Sequence, residues 1–130
     1  MSEIAYVDSS YLVAIVFDEP NVLELKARLD EFEEIFSSPL LEAEVRSTFH
    51  RKSILQDVGT SAFLGITWLI PQRPLSEEIT KALKIGYLRG ADLWHVASAL
   101  FLSPRPGEIS FLSLDEDQKN VAHHLGFKTN

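Results

Sequence analysis

The 130-residue sequence contains no cysteine, which excludes disulfides, thiolate zinc sites and cysteine nucleophiles and agrees with a reducing compartment. It has no apolar run near the roughly 18–20 residues that cross a bilayer, and its start, Met1-Ser2-Glu3-Ile4, lacks the basic end and apolar core of a signal peptide. A cytoplasmic protein without membrane attachment is therefore expected. Positive charge is scarce, with 12 Lys and Arg against 19 Asp and Glu and a net charge of −7. Such a surface repels a phosphate backbone, which argues against a simple basic nucleic-acid binder. It leaves nucleases open, because carboxylates loaded with divalent cations reverse the sign of the local field. With cysteine absent, any metal must be held by oxygen or imidazole. No Gly-x-Ser-x-Gly elbow occurs, which argues against a Ser-His-Asp hydrolase.

What is present is the balance of an ordinary globular chain, 45% hydrophobic and 24% charged, of a length that suits one domain over residues 1–130. Ile4 to Val7 is a short β-prone run ending at Asp8, and Ser9 to Val16 begins a helix stopped by Asp18-Glu19-Pro20-Asn21. A second helix is expected from Val22 to about Glu31, and a minimal strand at Glu34 to Ser37. Ser38-Pro39 then places a capping hydroxyl before a proline suited to the first helical position, opening a third helix to about Lys52. Between Gln56 and Gly65 the pattern permits a helix broken by Gly59 and Gly65. Ile66 to Ile70 reads as a strand, Leu75 to Gly86 or Tyr87 as a helix, and Arg89-Gly90 as a break before an apolar helix that starts at Asp92. Pro104, Pro106 and Gly107 mark a loop, followed by a strand from Ile109 to Leu114. A helix from Asp115 to Leu125 capped by Gly126, and a terminal strand at Phe127-Lys128-Thr129, complete the chain. Strands alternating with helices predict an α/β sandwich with a mainly parallel central sheet, which binds ligands at the carboxyl ends of its strands.

That rule directs attention to four carboxylates. Asp8 and Asp115 each follow a strand directly, Asp92 opens the most apolar helix, and Glu44 lies inside the third helix among Leu40, Leu41, Val45 and Thr48. Each of the three aspartates is either a helix N-cap or a functional group. Glu44 is either at the edge of the apolar stripe or functional, since an unpaired glutamate is almost never fully buried. Carboxylates meeting at one rim repel one another, and a shared divalent cation relieves that repulsion. All-oxygen ligation suits Mg²⁺ or Mn²⁺ and phosphate chemistry.

Ala5-Tyr6-Val7-Asp8-Ser9-Ser10-Tyr11-Leu12, the segment from Ser38 to Ser47 that carries Glu44, the segment from Leu88 to Leu100 that carries Asp92, and Phe111-Leu112-Ser113-Leu114-Asp115 with the later Leu125-Gly126-Phe127 resemble, in order and spacing, the four motifs of PIN-domain ribonucleases. The resemblance is greatest to the small VapC-like toxins of toxin–antitoxin pairs. It implies a PIN-like α/β/α sandwich and a site of Asp8, Glu44, Asp92 and Asp115 that binds one or two Mg²⁺ or Mn²⁺ ions, with Asp117 as a lesser metal candidate. Ser10 and Ser113 match hydroxyl positions that orient carboxylates or the substrate phosphate. The implied activity is endonucleolytic cleavage of RNA to 5′-phosphate and 3′-hydroxyl ends. The implied partners are a VapB-like antitoxin and a second copy in a homodimer.

Several other residues receive readings of their own. Arg46, Arg51, Lys52, Lys84 and Arg89 are candidate phosphate contacts, although a solvated helix face is the better account of any one of them. Glu42 should point to a different helix face from Glu44. His95, three residues after Asp92, is expected to be packed or to support a ligand from behind, and His123-His124 to form a partly exposed turn of the last helix. Leu12, Ile15, Phe17, Trp94 and Phe101 belong to the core or to a dimer surface. Residues 53–75 and Pro71-Gln72-Arg73-Pro74 have no assigned role. Two rival functions remain: a PIN-like module kept only for protein binding, and a phosphoacceptor signalling domain, which needs an adjacent acidic pair after strand one that is missing here.

Overall fold

The computed structural model describes residues 3–103 and 105–130. Met1, Ser2 and Pro104, read above as part of the chain start and of a loop, lie outside the described residues, as does the side chain of Val58. Five strands, β1 (Ile4–Val7), β2 (Glu34–Ser37), β3 (Ile66–Trp68), β4 (Ile109–Leu112) and β5 (Lys128–Thr129), form one sheet in the order β3-β2-β1-β4-β5. Every pairing is parallel, so the sheet is wholly rather than mainly parallel. Parallel strands need helical crossovers, and those helices cover both faces.

Alternation along β1 and β4 divides the core. Ala5, Val7 and Leu112 face α1 (Ser9–Val16), α2 (Val22–Leu29) and α3 (Pro39–Arg51), with Tyr11, Leu25, Leu41, Val45 and Phe49 buried there. Tyr6, Ile109 and Phe111 face α5 (Ser76–Ile85), α6 (Gly90–Leu102) and α7 (Glu116–Leu125), with Ala82, Val96, Ala99 and Val121. The Tyr6 and Phe111 rings stack at 5.7 Å, an offset contact worth about 0.5–1.5 kcal/mol beyond area burial. A short α4 (Gln56–Thr60) and a 3₁₀ turn, Ser61–Phe63, lead into β3.

Several expected boundaries move for local reasons. The chain runs helical through Gly59 instead of breaking there. α6 starts at Gly90, not Asp92, with Arg89 as its N-cap. A glycine at the first helical position loses little, because that N–H has no intrahelical partner in any case. β4 stops at Leu112, two residues early, because side chains replace the ladder. The Ser113 N–H donates to Asn130 Oδ1 at 3.1 Å and the Leu114 N–H to Ser10 Oγ at 3.0 Å. β3 ends at Trp68; Ile70 beyond it is exposed, and Pro71 cannot donate to a ladder. Asp115 caps α7 from outside, α2 closes at Leu29, and Pro106–Glu108 is a 3₁₀ turn rather than open loop. Arg73, which had no assigned role, pairs with Glu78 at 2.6 Å and lies 5.1 Å over the Phe101 ring. That ties the β3–α5 connection to α6.

Candidate functional site

β1 is the central strand, and the order of the sheet reverses between it and β4. In parallel α/β sheets this switch point opens a crevice at the carboxyl ends of the strands. Asp8 stands directly beyond β1 and is buried. Its Oδ1 accepts from Ser10 Oγ at 2.7 Å and from the Tyr11 N–H at 3.3 Å, and its Oδ2 accepts from Ser113 Oγ at 3.0 Å. Asp8 is therefore the N-cap of α1 as well as a rim carboxylate. Burial pushes its pKa up to about 6, against the pull of Ser10, the nearby His95, the Tyr11 amide and Ser113.

Register explains the meeting with Ser113. Val7 pairs with Leu112, so the next residues of the two strands, Asp8 and Ser113, lie side by side. Ser113 Oγ also accepts from the Asp115 N–H at 3.0 Å and lies 2.9 Å from Gln118 Oε1. Its single proton serves either Asp8 or Gln118, not both. Gln118, fully buried, donates through Nε2 to the Asp92 carbonyl at 3.1 Å, fastening the start of α6 to the end of β4. Asn130 clamps Ser113 from the other side, accepting from its N–H and donating to its carbonyl at 3.0 Å. Neither Gln118 nor Asn130 was found from sequence. Asp115-x-x-Gln118 has the spacing of a capping box, and the Gln118 N–H does donate to Asp115 Oδ1 at 2.9 Å. The Gln118 side chain, however, turns into the site instead of back to the cap.

The other carboxylates arrive from two helices. Ser38 Oγ caps α3 by accepting from the Leu40 N–H at 3.2 Å and also receives the Trp94 Nε1–H at 2.9 Å, which draws α6 onto the start of α3. Further along α3, partly buried Glu44 meets buried His95 of α6, Oε1 to Nε2, at 2.6 Å. Asp92 occupies the third position of α6 and is no cap. Its pKa is raised by partial burial first and then by the charges of Asp115 and Glu44, with Arg89 and His95 opposing. The charges of Asp115 and Glu44 thus reach Asp92, whose carbonyl is linked through Gln118 and Ser113 to Asp8. Asp117 is exposed on the first turn of α7 and has no hydrogen bond to the other four carboxylates among the described residues. Glu42 pairs with Arg46 at 2.7 Å on a separate face, and the Arg46 guanidinium lies 4.9 Å over the Phe63 ring. Lys52 lies over the Phe17 ring at 5.6 Å. Arg51, Lys84 and Arg89 are all exposed, and of the three it is Arg89 whose charge acts on Asp92. His123 and His124 are both exposed, and Leu12 packs in the core.

A model of the PIN domain matches residues 5–124. The chain belongs to the PIN-domain family. PIN domains are mostly metal-dependent nucleases. No curated protein matches the chain.

The PIN-domain rim offers carboxylate oxygens and hydroxyls, the donor set of a hard cation. Among the described residues, no three Asp, Glu or His side chains stand close enough to hold one ion together. Magnesium does not require that. It keeps several waters and is held by one or two carboxylates with phosphate oxygens completing the shell. The mutual repulsion felt at Asp92 is the condition that such an ion relieves, so the residues fit the group. Among the described residues no helix is long and apolar enough to cross a membrane.

Proposed function

We propose that this PIN domain is a divalent-metal-dependent endoribonuclease and the toxin of a VapC-like toxin–antitoxin pair. The observation that carries the reading is that Asp8 stands beyond the central strand at the switch point of a parallel sheet, while the charges of Asp115 and Glu44 destabilise Asp92 as an anion. These four residues would hold Mg²⁺ or Mn²⁺, directly or through water, with Asp117 a peripheral fifth. Such an ion would supply an activated water and charge neutralisation at the phosphate. The protein's own part is positional. Ser10, Ser113 and the Tyr11 amide hold Asp8, Gln118 holds the first turn of α6 against β4, and Arg89 offers a cation beside the acids for a phosphate. No side chain is required as nucleophile. In this reading the protein works in the cytoplasm as a homodimer, held in check by a VapB-like antitoxin whose basic or apolar segment complements the acidic toxin.

A PIN domain retained for protein binding is the second reading, favoured by the absence of a ready three-ligand cluster among the described residues. Cleavage of single-stranded and structured RNA by purified protein, in Mg²⁺, Mn²⁺ or EDTA, separates the two. The nuclease reading expects cutting that needs metal and disappears in Asp8→Asn and Asp92→Asn variants that remain folded. Equal cutting by all three proteins sinks it. Neither cutting nor Mn²⁺ binding by wild type leaves the binding module.

A further inference from the structure

Between β1 and the acidic rim lies a buried chain of polar groups that the proposed chemistry does not use. Tyr6 points into the layer of α5, α6 and α7, and its hydroxyl lies 2.8 Å from His95 Nδ1. The same hydroxyl accepts from the Ser38 N–H at 3.2 Å. On the far side of the imidazole, Nε2 meets Glu44 Oε1 at 2.6 Å. Tyr6 and His95 are both buried, while Glu44 is partly open to solvent. The chain therefore runs from the centre of the fold to its surface and ends on a carboxylate of the candidate site.

Donor and acceptor capacity gives this chain a direction. A carboxylate accepts only, so the short contact requires a proton on His95 Nε2. In the neutral ring Nδ1 is then an acceptor and needs a donor. With the ring neutral, the Tyr6 hydroxyl is that donor: it is the group 2.8 Å from Nδ1, burial keeps the phenol protonated, and its oxygen is free to accept from the Ser38 N–H at the same time. A buried imidazole donating to a carboxylate at 2.6 Å fixes the carboxylate in rotation as well as in place. With Oε1 held by His95, Oε2 is the oxygen left for a cation or a substrate. The sequence permits a bland alternative in which His95 merely fills space in an apolar helix, but a packing role needs neither a polar neighbour on each ring nitrogen nor a carboxylate aligned with one of them.

We propose that Tyr6 and His95 form a positioning relay, in which Tyr6 holds His95 as its Nε2–H tautomer and His95 fixes Glu44 so that the second carboxylate oxygen serves the site. The proposal deepens the nuclease reading above and rests on it for the meaning of the site. Neither residue touches substrate or metal, so both are positioning residues.

The relay is tested on the full chain by two measurements. In ¹⁵N NMR of the imidazoles, His95 should carry its proton on Nε2 with Nδ1 as a hydrogen-bonded acceptor, and Tyr6→Phe should disturb that state. A ring protonated at Nδ1 overturns the proposal, as does a ring indifferent to Tyr6→Phe. Calorimetric Mn²⁺ binding supplies the second measurement. His95→Leu should weaken binding by about ten- to a hundredfold, in line with the loss of groups that support a metal ligand. His95→Gln, whose amide can donate from near the Nε2 position, should restore most of it. In a Glu44→Gln background the His95→Leu substitution should make no further difference, and the same loss in both backgrounds overturns the relay. The two readings fail separately. Metal-dependent RNA cleavage and Mn²⁺ binding that ignore His95 keep the nuclease and remove the relay. The expected His95 tautomer in a protein that neither binds Mn²⁺ nor cuts RNA keeps the hydrogen-bonded relay and removes the nuclease.

Discussion

The two ends of the sheet differ in what closes them. At the carboxyl end the strands stop among polar residues bonded to one another, with Asp8, Ser10, Ser113, Gln118 and Asn130 forming one connected set. At the amino end a cavity of about 400 Å³ is lined by Ile4, Phe36, Leu102 and Ile109, with Glu3, Glu108 and Lys128 among its charged residues. Its largely apolar lining suits a small molecule. Among the described residues it brings together no network of buried polar groups and no cluster of carboxylates in mutual repulsion. This apolar cavity and the polar network thus lie at opposite ends of the sheet. Parallel strands all deliver the residues that follow them to the same rim, and the helices that begin there add their first turns to it.

The sharpest way to break this contrast is to neutralise one end and hollow the other. Asp92→Asn or Asp8→Asn should lower RNA cleavage by at least about a hundredfold, the usual scale for losing a group that supports transition-state charge. Ile109→Ala, at the lining of the amino-end cavity and only 2% exposed, should cost about 2–5 kcal/mol in urea unfolding. Its cleavage rate per folded molecule should stay at the wild-type value. A rate loss equal to that of Asp92→Asn would join the two ends functionally and end the comparison.

A smaller effect concerns pH. Asp8 binds its proton more tightly folded than unfolded, so the folded chain takes up protons as pH falls from about 6 toward 4. In EDTA, stability should therefore decline as pH rises through that window and level off above it. A rise in the Asp8 pKa from 3.8 to about 6 corresponds to about 3 kcal/mol. Asp8→Asn should remove that component of the pH dependence and be more stable than wild type at pH 7. Its amide can donate to Ser113, which frees the Ser113 proton for Gln118. Denaturant unfolding of both proteins across pH 4 to 8 checks this, and identical slopes would refute it. The smallest effect returns to the amino end. Gly126 ends α7 with φ of +107° beside Pro106, and Gly126→Ala should cost about 1–2 kcal/mol because an L side chain resists that backbone region. The thermal midpoint should fall while cleavage is retained.

Much of the fold was legible because its signals are local. The strand run ending at Asp8, Ser38-Pro39 as a helix start and Gly126 as a helix end each need only a few neighbouring residues, and each stands where the pattern put it. The start of α6 was misplaced because Arg89-Gly90 has the composition of a break, whereas glycine at a first helical position is tolerated. The end of β4 was misplaced because side chains from Ser10 and Asn130, distant in sequence, take over its ladder. The charges of Asp115 and Glu44 both reach Asp92, an influence that depends on the tertiary fold and not on the motif order. The supports around them were only partly visible. His95 was legible as a histidine on the Asp92 face of its helix, but its link to Tyr6 crosses 89 residues. Gln118 was hidden by its ordinary place in a first helical turn.

The sequence by itself determined the alternation of elements, the two-sided core and the acidic residues that follow the strands, because periodicity and capping act over a handful of positions. Only the tertiary structure decided which of those acids are buried, which repel one another and which polar groups hold them. Those properties depend on strand register and on the docking of α6 between β1 and α3, where contacts between distant segments set the local dielectric and the supply of hydrogen bonds.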